Sequence, residues 1–476
     1  MSDHTVGRII RDRARHTPER IAIYFLGRTL TYGELDDASD AAAAGLVGAG
    51  LARGDRLATL TGNSPEHVVL FFACAKLGLV LLPLNWRLTP PELAYQLQDA
   101  DPALFLVEPG LEDAAAATGR PYERLEGTWP RARPGDTAVE DDDPLLLIYT
   151  SGTTGKPKGA LLTHANCFWT NLGFDLVAPI GSDDVVLQVL PQFHVGGWNV
   201  QSLLAWWKGA RVILERSFDA ARCLELIADQ RVTTMMGVPA SYLFMSQQPG
   251  FDDADLSSLR LAVVGGAPMP EALLETWQER GVAIVQGYGL TEAAPNVLCL
   301  PPEEAVRKAG YAGKPYPYVD VRLGAQDELQ VRGPNVFAGY WRNPEATAAA
   351  FLDGWLRTGD VAECDEEGFY RIRGRLKDMY ISGGENVYPA EVEAVLHEHP
   401  RVVDAAVVGV PDERWGECGL AFVVARGEVA EEELLAHCTA RLARFKVPRA
   451  VRFVDAIPRN SLGKPLKDEL KAEVTA

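Results

Sequence analysis

The run Leu145-Leu-Leu-Ile-Tyr149 empties directly into Thr150-Ser-Gly-Thr-Thr-Gly-Lys-Pro-Lys-Gly159. A largely apolar run followed at once by four hydroxyls, three glycines and two lysines reads as a strand whose carboxyl end opens into a loop of N–H and O–H donors. Such a loop suits a polyphosphate, because successive donors can wrap its oxygens. It is not the nucleotide-triphosphatase loop, since Gly-x4-Gly-Lys counted from Gly152 needs glycine where Pro157 stands. A different phosphate cradle is expected.

Three more strand-like runs end in chemistry. Residues 185–190 lead into Pro191-Gln-Phe-His194-Val-Gly196-Gly197-Trp198. A histidine beside aromatics is ordinarily a packing residue, but a strand end makes His194 a candidate. Residues 261–264 lead into Gly265-Gly266-Ala267-Pro268, where missing side chains let a flat ring approach backbone. Residues 282–285 lead into Gln286-Gly287-Tyr288-Gly289-Leu-Thr291-Glu292, which sets an aromatic, a hydroxyl and a carboxylate in one loop. Outward from these runs, apolar strands alternate with helical patterns through about the first 360 residues, the α/β signature of parallel-rich sheets flanked by helices. Ligands of open α/β sheets bind outside the carboxyl ends of strands. The four loops therefore converge on phosphate donors, a base pocket and a carboxylate able to hold Mg2+ through oxygen.

With 476 residues the chain exceeds one ordinary domain of about 100 to 200 residues. Forty-six Lys and Arg against 65 Asp and Glu leave a net charge of −19, which argues against general nucleic-acid binding. The apolar stretch 68–82 is broken by Lys76 and ended by Pro83, too short to span a bilayer, so no integral membrane contact is expected. Asp3, Arg8, Arg11 and Asp12 leave no apolar centre for a secretory signal, so a cytoplasmic protein is expected. Seven singly scattered cysteines read as reduced packing residues, and His397 and His399 as surface residues without a third metal ligand nearby. Between Arg441 and Lys471, nine cations face only Asp455, Asp468 and Glu469, which fits either a docked polyanion or a solvated face.

From about residue 377 the texture changes. Pro389, with Glu391 and Glu393 in a first turn and Val392, Val395 and Leu396 at helical spacing, predicts a helix ending at Pro400. Strands at 405–410, 420–425 and 451–454 and a helix over 431–442 complete a small α+β module. The expected division is 1–376, a large ATP- and acyl-binding domain, and 377–476, a small mobile C-terminal domain.

Thr150 to Gly159, Gly287-Tyr-Gly-Leu-Thr-Glu292, Thr358-Gly-Asp360, Gly374-Arg375-Leu-Lys377-Asp378, Ser382-Gly-Gly-Glu-Asn-Val-Tyr-Pro389 and Pro458-Arg-Asn-Ser-Leu-Gly-Lys464 together resemble the AMP-forming acyl-CoA synthetases of the adenylate-forming superfamily. The resemblance covers essentially the whole chain, in order. It implies a ligase that uses ATP, Mg2+ and coenzyme A: a carboxylic acid is adenylated with release of pyrophosphate, and coenzyme A then displaces AMP. The same fold also serves other acceptors or acids, such as carrier proteins, amines or nitrite in the diazotising branch, and that alternative stays open.

By resemblance, Lys464, Glu292, Thr154, Arg375 and His194 are the catalytic set, with Glu292 and Thr154 on the metal. ATP falls to Thr150, Ser151, Gly152, Thr153, Thr154, Gly155, Lys158, Gly266, Ala267, Pro268, Gln286, Gly287, Tyr288, Gly289, Thr291, Asp360, Arg375 and Lys464. The acyl pocket falls to His194, Gly196, Gly197, Trp198, Ala293 and Pro295. Lys377 is the expected hinge, and Ser382, Gly383, Gly384 and Glu385 line the coenzyme A tunnel. The pocket segments carry no Lys or Arg, so a monocarboxylic acid with an apolar body is expected, fatty before cinnamic-type aryl, with Trp198 either a gate, as in long-chain members, or a core-packing residue, and Gly197 as the residue whose enlargement shortens the acid. A monomer or homodimer is expected. The short connection between Val321 and Val331 leaves the hairpin usual at that place in doubt.

Overall fold

The computed structural model describes residues 4–125, 129, 132–135, 137–150, 156–412, 414–460 and 464–475. Two large sheets carry the first part of the chain. In the nine-stranded one, Ile284–Gly289, Leu261–Val264, Thr234–Gly237, Val185–Gln188, Arg211–Leu214 and Ile21–Phe25 lie side by side and parallel, with antiparallel strands added at both edges. In the seven-stranded one, Pro144–Thr150, Val80–Leu84, Arg56–Leu60 and Leu104–Val107 are parallel, while Lys158–Thr163 and then Gly339–Tyr340 extend it antiparallel. This parallel-rich, helix-flanked architecture is the α/β class expected from the alternating runs.

One core joins the two sheets: Ile23 and Val212 from the first and Leu57 and Leu146 from the second share it with the helix Pro65–Leu77. With the start of the strand Val80–Leu84, that helix makes up the apolar stretch 68–82; it starts on the Ser64 side chain, which accepts from the His67 N–H, and ends at Gly78 in the left-handed conformation. Its one interrupting charge is neutralised in place. The Lys76 ammonium, fully buried, donates to Asp36, Asp40 and Ser39 at 2.6–2.7 Å. Among the described residues no helix is long and apolar enough to cross a membrane.

A third sheet is wholly antiparallel: Asp320–Leu323, Glu328–Arg332, Trp355–Cys364 and Phe351–Leu352 in order, with Tyr370–Arg375 also on Trp355–Cys364. The doubtful hairpin thus forms despite its short connection, because Gln326 and Asp327 turn with positive φ.

The last hundred residues fold around their own cores. Val402–Asp412 and Gly416–Ala425 make one long hairpin, and the free edge of Gly416–Ala425 pairs with Tyr380–Ser382 at its start, which carries Glu385–Val387 beyond it, and in parallel with Ala450–Phe453 further along. The helices are Pro389–His397, Glu431–Thr439 and Lys467–Thr475, so the second ends three residues sooner than its pattern suggests. Two expectations are corrected. His399 is buried, with Nε2 3.3 Å from Glu433 and its ring edge-on to His437, because the helix Glu431–Thr439 packs over it. Cys364 is exposed at a strand end, while the other six cysteines are buried.

Candidate active site

The strand ends bring together most of the motif residues. Asp360 and Arg375 face each other across Trp355–Cys364 and Tyr370–Arg375, and Arg375 Nε lies 3.1 Å from Asp360 Oδ1. The Tyr288 hydroxyl donates to Asp360 Oδ2 at 2.5 Å, so one buried carboxylate ties the loop after Ile284–Gly289 to the antiparallel sheet. Burial, then the Asp360 charge, holds the Tyr288 phenol far above its ordinary pKa.

Glu292 sits in the short helical turn Thr291–Ala293, and the Tyr340 hydroxyl donates to its Oε1 at 2.8 Å. Burial foremost, and then Glu292, push the Tyr340 pKa up. Gly289 is fixed by close approach, since any Cβ there would meet the Pro295 carbonyl oxygen. Gln286 is buried and accepts from the Met269 N–H at 3.2 Å, which pins the exposed lip formed by Gly266 and Pro268 with Ala267 between them. Gly287 and Thr291 are half-buried in the same loop.

Ser151, Gly152, Thr153, Thr154 and Gly155, the centre of the expected phosphate cradle, lie outside the described residues. Its flanks are visible: Thr150 pairs with Lys158 across the sheet, and Lys158 Nζ stands 5.3 Å from the centre of the Tyr340 ring.

Lys464 comes from the far end of the chain and enters this cleft. Burial lowers its ammonium pKa and Arg375 adds to that, while Asp360 and Glu292 oppose it, so charges from the antiparallel sheet, the Thr291–Ala293 turn and the C-terminal loop share one field. His194 belongs to the same cluster: its pKa is pushed down to about 3 by burial, then by Arg87 and Lys464, which keeps the imidazole neutral. The loop that delivers Lys464 is held on both sides. Arg459 makes a two-pronged pair with Asp404 at 2.6 and 2.7 Å, Lys467 pairs with Glu393 at 2.7 Å, and the Lys464 N–H donates to Asn460 Oδ1. These pairs, with Arg441–Glu398, Lys446–Glu391 and Arg449–Asp412, account for much of the basic segment, which therefore presents less free charge to a polyanion than its composition suggests.

The acyl-side residues divide. His194 and Gly196 are half-buried, as is Pro295, whereas Gly197, Trp198 and Ala293 are buried. Trp198 stacks on Phe71 at 4.5 Å, meets His67 edge-on and donates from Nε1 to the Gln192 carbonyl, so it is a fixed core residue and not a mobile gate. A Cβ on Gly197 would strike the Pro191 carbonyl, so that glycine serves a tight turn and not an open pocket.

Lys377 is exposed just past Arg375. Ser382 is buried, while Gly383, Gly384 and Glu385 form the exposed tip of a small hairpin, with the Gly383 N–H on the Trp415 carbonyl. Among the described residues no hydrogen bond or ion pair joins this tip to Glu292, Asp360, Arg375 or Lys464.

Sequence reasoning missed four residues here. Tyr340 was invisible because its strand is only two residues long, and Arg87, although it follows the strand Val80–Leu84, because a lone arginine between Trp86 and Leu88 carries no motif. Asn63 and Gln192 brace the His194 turn: Asn63 Nδ2 donates to the Leu190 carbonyl, and the Gln192 N–H donates to Asn63 Oδ1. Gln192, two residues past the strand-like run 185–190, was the one legible signal.

This arrangement of two large sheets, an antiparallel sheet and a small terminal unit is that of the adenylate-forming enzymes. The sequence pattern described as AMP-binding enzyme matches residues 10–341, and that of the AMP-binding enzyme C-terminal domain matches 391–464. The chain belongs to the AMP-binding enzyme family. It is 43% identical to a feruloyl-CoA synthase of Amycolatopsis sp, over 96% of this chain and 97% of that one, and 39% identical to a long-chain-fatty-acid–CoA ligase of Mycobacterium tuberculosis, over 99% of each. Among solved structures it is similar to ATP-bound MatB from Rhodopseudomonas palustris, at 33% identity, TM-score 0.90 and 99% coverage of both chains.

Proposed function

We propose that this protein adenylates an apolar aryl acid of the cinnamic type and transfers the acyl group to coenzyme A. An AMP-forming acid–CoA ligase that uses ATP, Mg2+ and coenzyme A is what its family and relatives define; the acid, the residue roles and the hinge are our reading. The observation that carries it is the convergence of Lys464 on Glu292, Asp360, Arg375 and His194.

In-line attack of a carboxylate on the α-phosphorus crowds negative charge onto phosphate oxygens, so positioning and cations do most of the work. Lys464 neutralises charge shared by the incoming carboxylate and the α-phosphate. Asp360 accepts from the ribose hydroxyls, Arg375 orients that carboxylate, and Tyr288 offers its ring to the adenine opposite the Gly266 to Pro268 lip. Glu292 and Thr154 are hard oxygen donors that fit Mg2+, which when bound neutralises phosphate charge. For the second step, the unit 377–476 turns at Lys377, withdraws Lys464 and brings the Ser382 to Glu385 tip to the cleft.

Two observations support an aryl over a fatty acid: the feruloyl-CoA synthase is more similar than the fatty-acid ligase, and Trp198, which pointed to long chains, is sealed in the core. The chain works as a monomer or homodimer in the cytoplasm, where buried unpaired cysteines persist.

The test is pyrophosphate release with a panel of ferulate, cinnamate, medium- and long-chain fatty acids and malonate, with and without coenzyme A. Acid-dependent release with thiol consumption, greatest for the aryl acids, is expected. Release without thiol consumption would give the acceptor to a carrier protein or amine, and preference for malonate would overturn the apolar pocket.

A further inference from the structure

We propose that Tyr340 is a positioning residue that presets the Glu292 carboxylate for a divalent cation and couples it to Lys158. The proposal rests on the reading of Glu292 as a metal ligand. The Tyr340 hydroxyl donates to Glu292 Oε1, and among the described residues no other hydrogen bond reaches that carboxylate, which leaves Oε2 for a cation.

The grip is wider than one bond. The Phe337 N–H donates to the Glu292 carbonyl at 2.8 Å, and Asn335 Nδ2 donates to the carbonyls of Ala293 and Asn296 at 2.9 and 2.8 Å. Segment 335–340 therefore holds the 291–296 turn by its backbone and the functional side chain by its tip. Tyr340 is itself locked: its backbone pairs with Ala160, its N–H donates to Thr347 Oγ1 and Phe337 packs edge-on at 4.9 Å.

The same ring faces the other half of the site. Lys158 Nζ lies over it at 5.3 Å, within the range of a cation attracted by an aromatic face. One side chain thus orients a carboxylate through its hydroxyl and a phosphate-loop lysine through its ring. A carboxylate already held in one orientation loses less freedom when a cation arrives, which is how supporting partners raise metal affinity.

The two contacts separate by substitution. Tyr340→Phe keeps the ring and deletes the hydroxyl, while Tyr340→Leu deletes both. The measurements are Mn2+ binding in the presence of ATP by water-proton relaxation, ATP affinity in EDTA by calorimetry, and thermal unfolding. Tyr340→Phe is expected to raise the half-saturating Mn2+ about tenfold, with ATP affinity in EDTA and Tm unchanged. Tyr340→Leu is expected to weaken ATP in EDTA as well. A wild-type Mn2+ dependence in Tyr340→Phe, or a loss matched by equal falls in ATP affinity or Tm, would overturn the proposal. Glu292→Gln separates the two layers: no Mn2+ effect there would remove the metal reading itself, whereas an effect there without one in Tyr340→Phe would remove only the positioning role.

Discussion

A Cβ placed on Gly197 would lie on the Pro191 carbonyl and 2.9 Å from the Gln192 Cα, and neither is a flexible side-chain end that can move aside. Gly197→Leu is therefore expected to lower Tm sharply or abolish soluble expression, instead of shortening the accepted acid. Gly196 is different: the nearest atom to its Cβ position is Leu190 Cδ1 at 3.4 Å, ordinary contact. Gly196→Leu should raise KM for a bulky aryl acid about tenfold or more, the scale of one lost hydrophobic subsite, while KM for ATP stays put. Steady-state kinetics with two acids of different length decide it. Among the histidines, burial depresses His67 to about 3 and His164 to about 4. Both stay neutral when folded but charge near pH 6.5 when unfolded, so the unfolded state binds more protons between those values. Stability is then constant in this respect above about pH 6.5 and falls as pH drops, by about 1.4 kcal/mol per unit for each histidine. Urea unfolding at pH 7 and pH 5 checks the sign; equal stabilities would contradict the burial.

At the scale of elements, the long hairpin of the small unit shows what sequence could and could not reveal. Its strands were expected only over the apolar runs 405–410 and 420–425, whereas they extend to 402–412 and 416–425, with Gly409 and Gly419 inside them. They pair directly opposite one another, and the bare backbone they leave is the seat of the Tyr380 side chain. The Tyr380 hydroxyl is buried without a hydrogen-bond partner among the described residues. Removing an orphan donor relieves its desolvation, so Tyr380→Phe is expected to hold or raise Tm, whereas Tyr380→Ala opens a cavity costing about 3–5 kcal/mol. A clear loss in Tyr380→Phe would mean that the hydroxyl has a partner. Apolar runs of four or more residues were legible from pattern alone. The strand Gly339–Tyr340 was not, because two residues carry no alternation, and with it went the partner of Glu292. Trp198 was ambiguous for the opposite reason: a glycine pair before an aromatic reads alike for a pocket rim and for a tight turn into the core, and only the packing on Phe71 decides for the core.

Over the whole molecule, the loops after Val185–Gln188, Leu261–Val264 and Ile284–Gly289 were legible because each follows an apolar strand of one parallel sheet, whereas Asp360 and Arg375 lie on paired antiparallel strands and Lys464 on a loop of the C-terminal unit. What sequence could not supply were the braces from distant segments, Asn63, Arg87 and Tyr340, whose roles exist only once the sheets are packed. The orientation of the small unit is equally a property of the packed chain: Lys464 shares a field with Arg375, Asp360 and Glu292, and the Ser382 to Glu385 tip faces outward. One cleft that serves two half-reactions through two orientations is the central claim, and Lys464→Ala tests it in single-turnover measurements of each step. Adenylate formation is predicted to fall by about 10²- to 10³-fold, the loss of one charge contact in the transition state, while thioester formation from supplied acyl-adenylate stays within about threefold of wild type. An equal fall in both steps, or no fall in the first, would contradict the account.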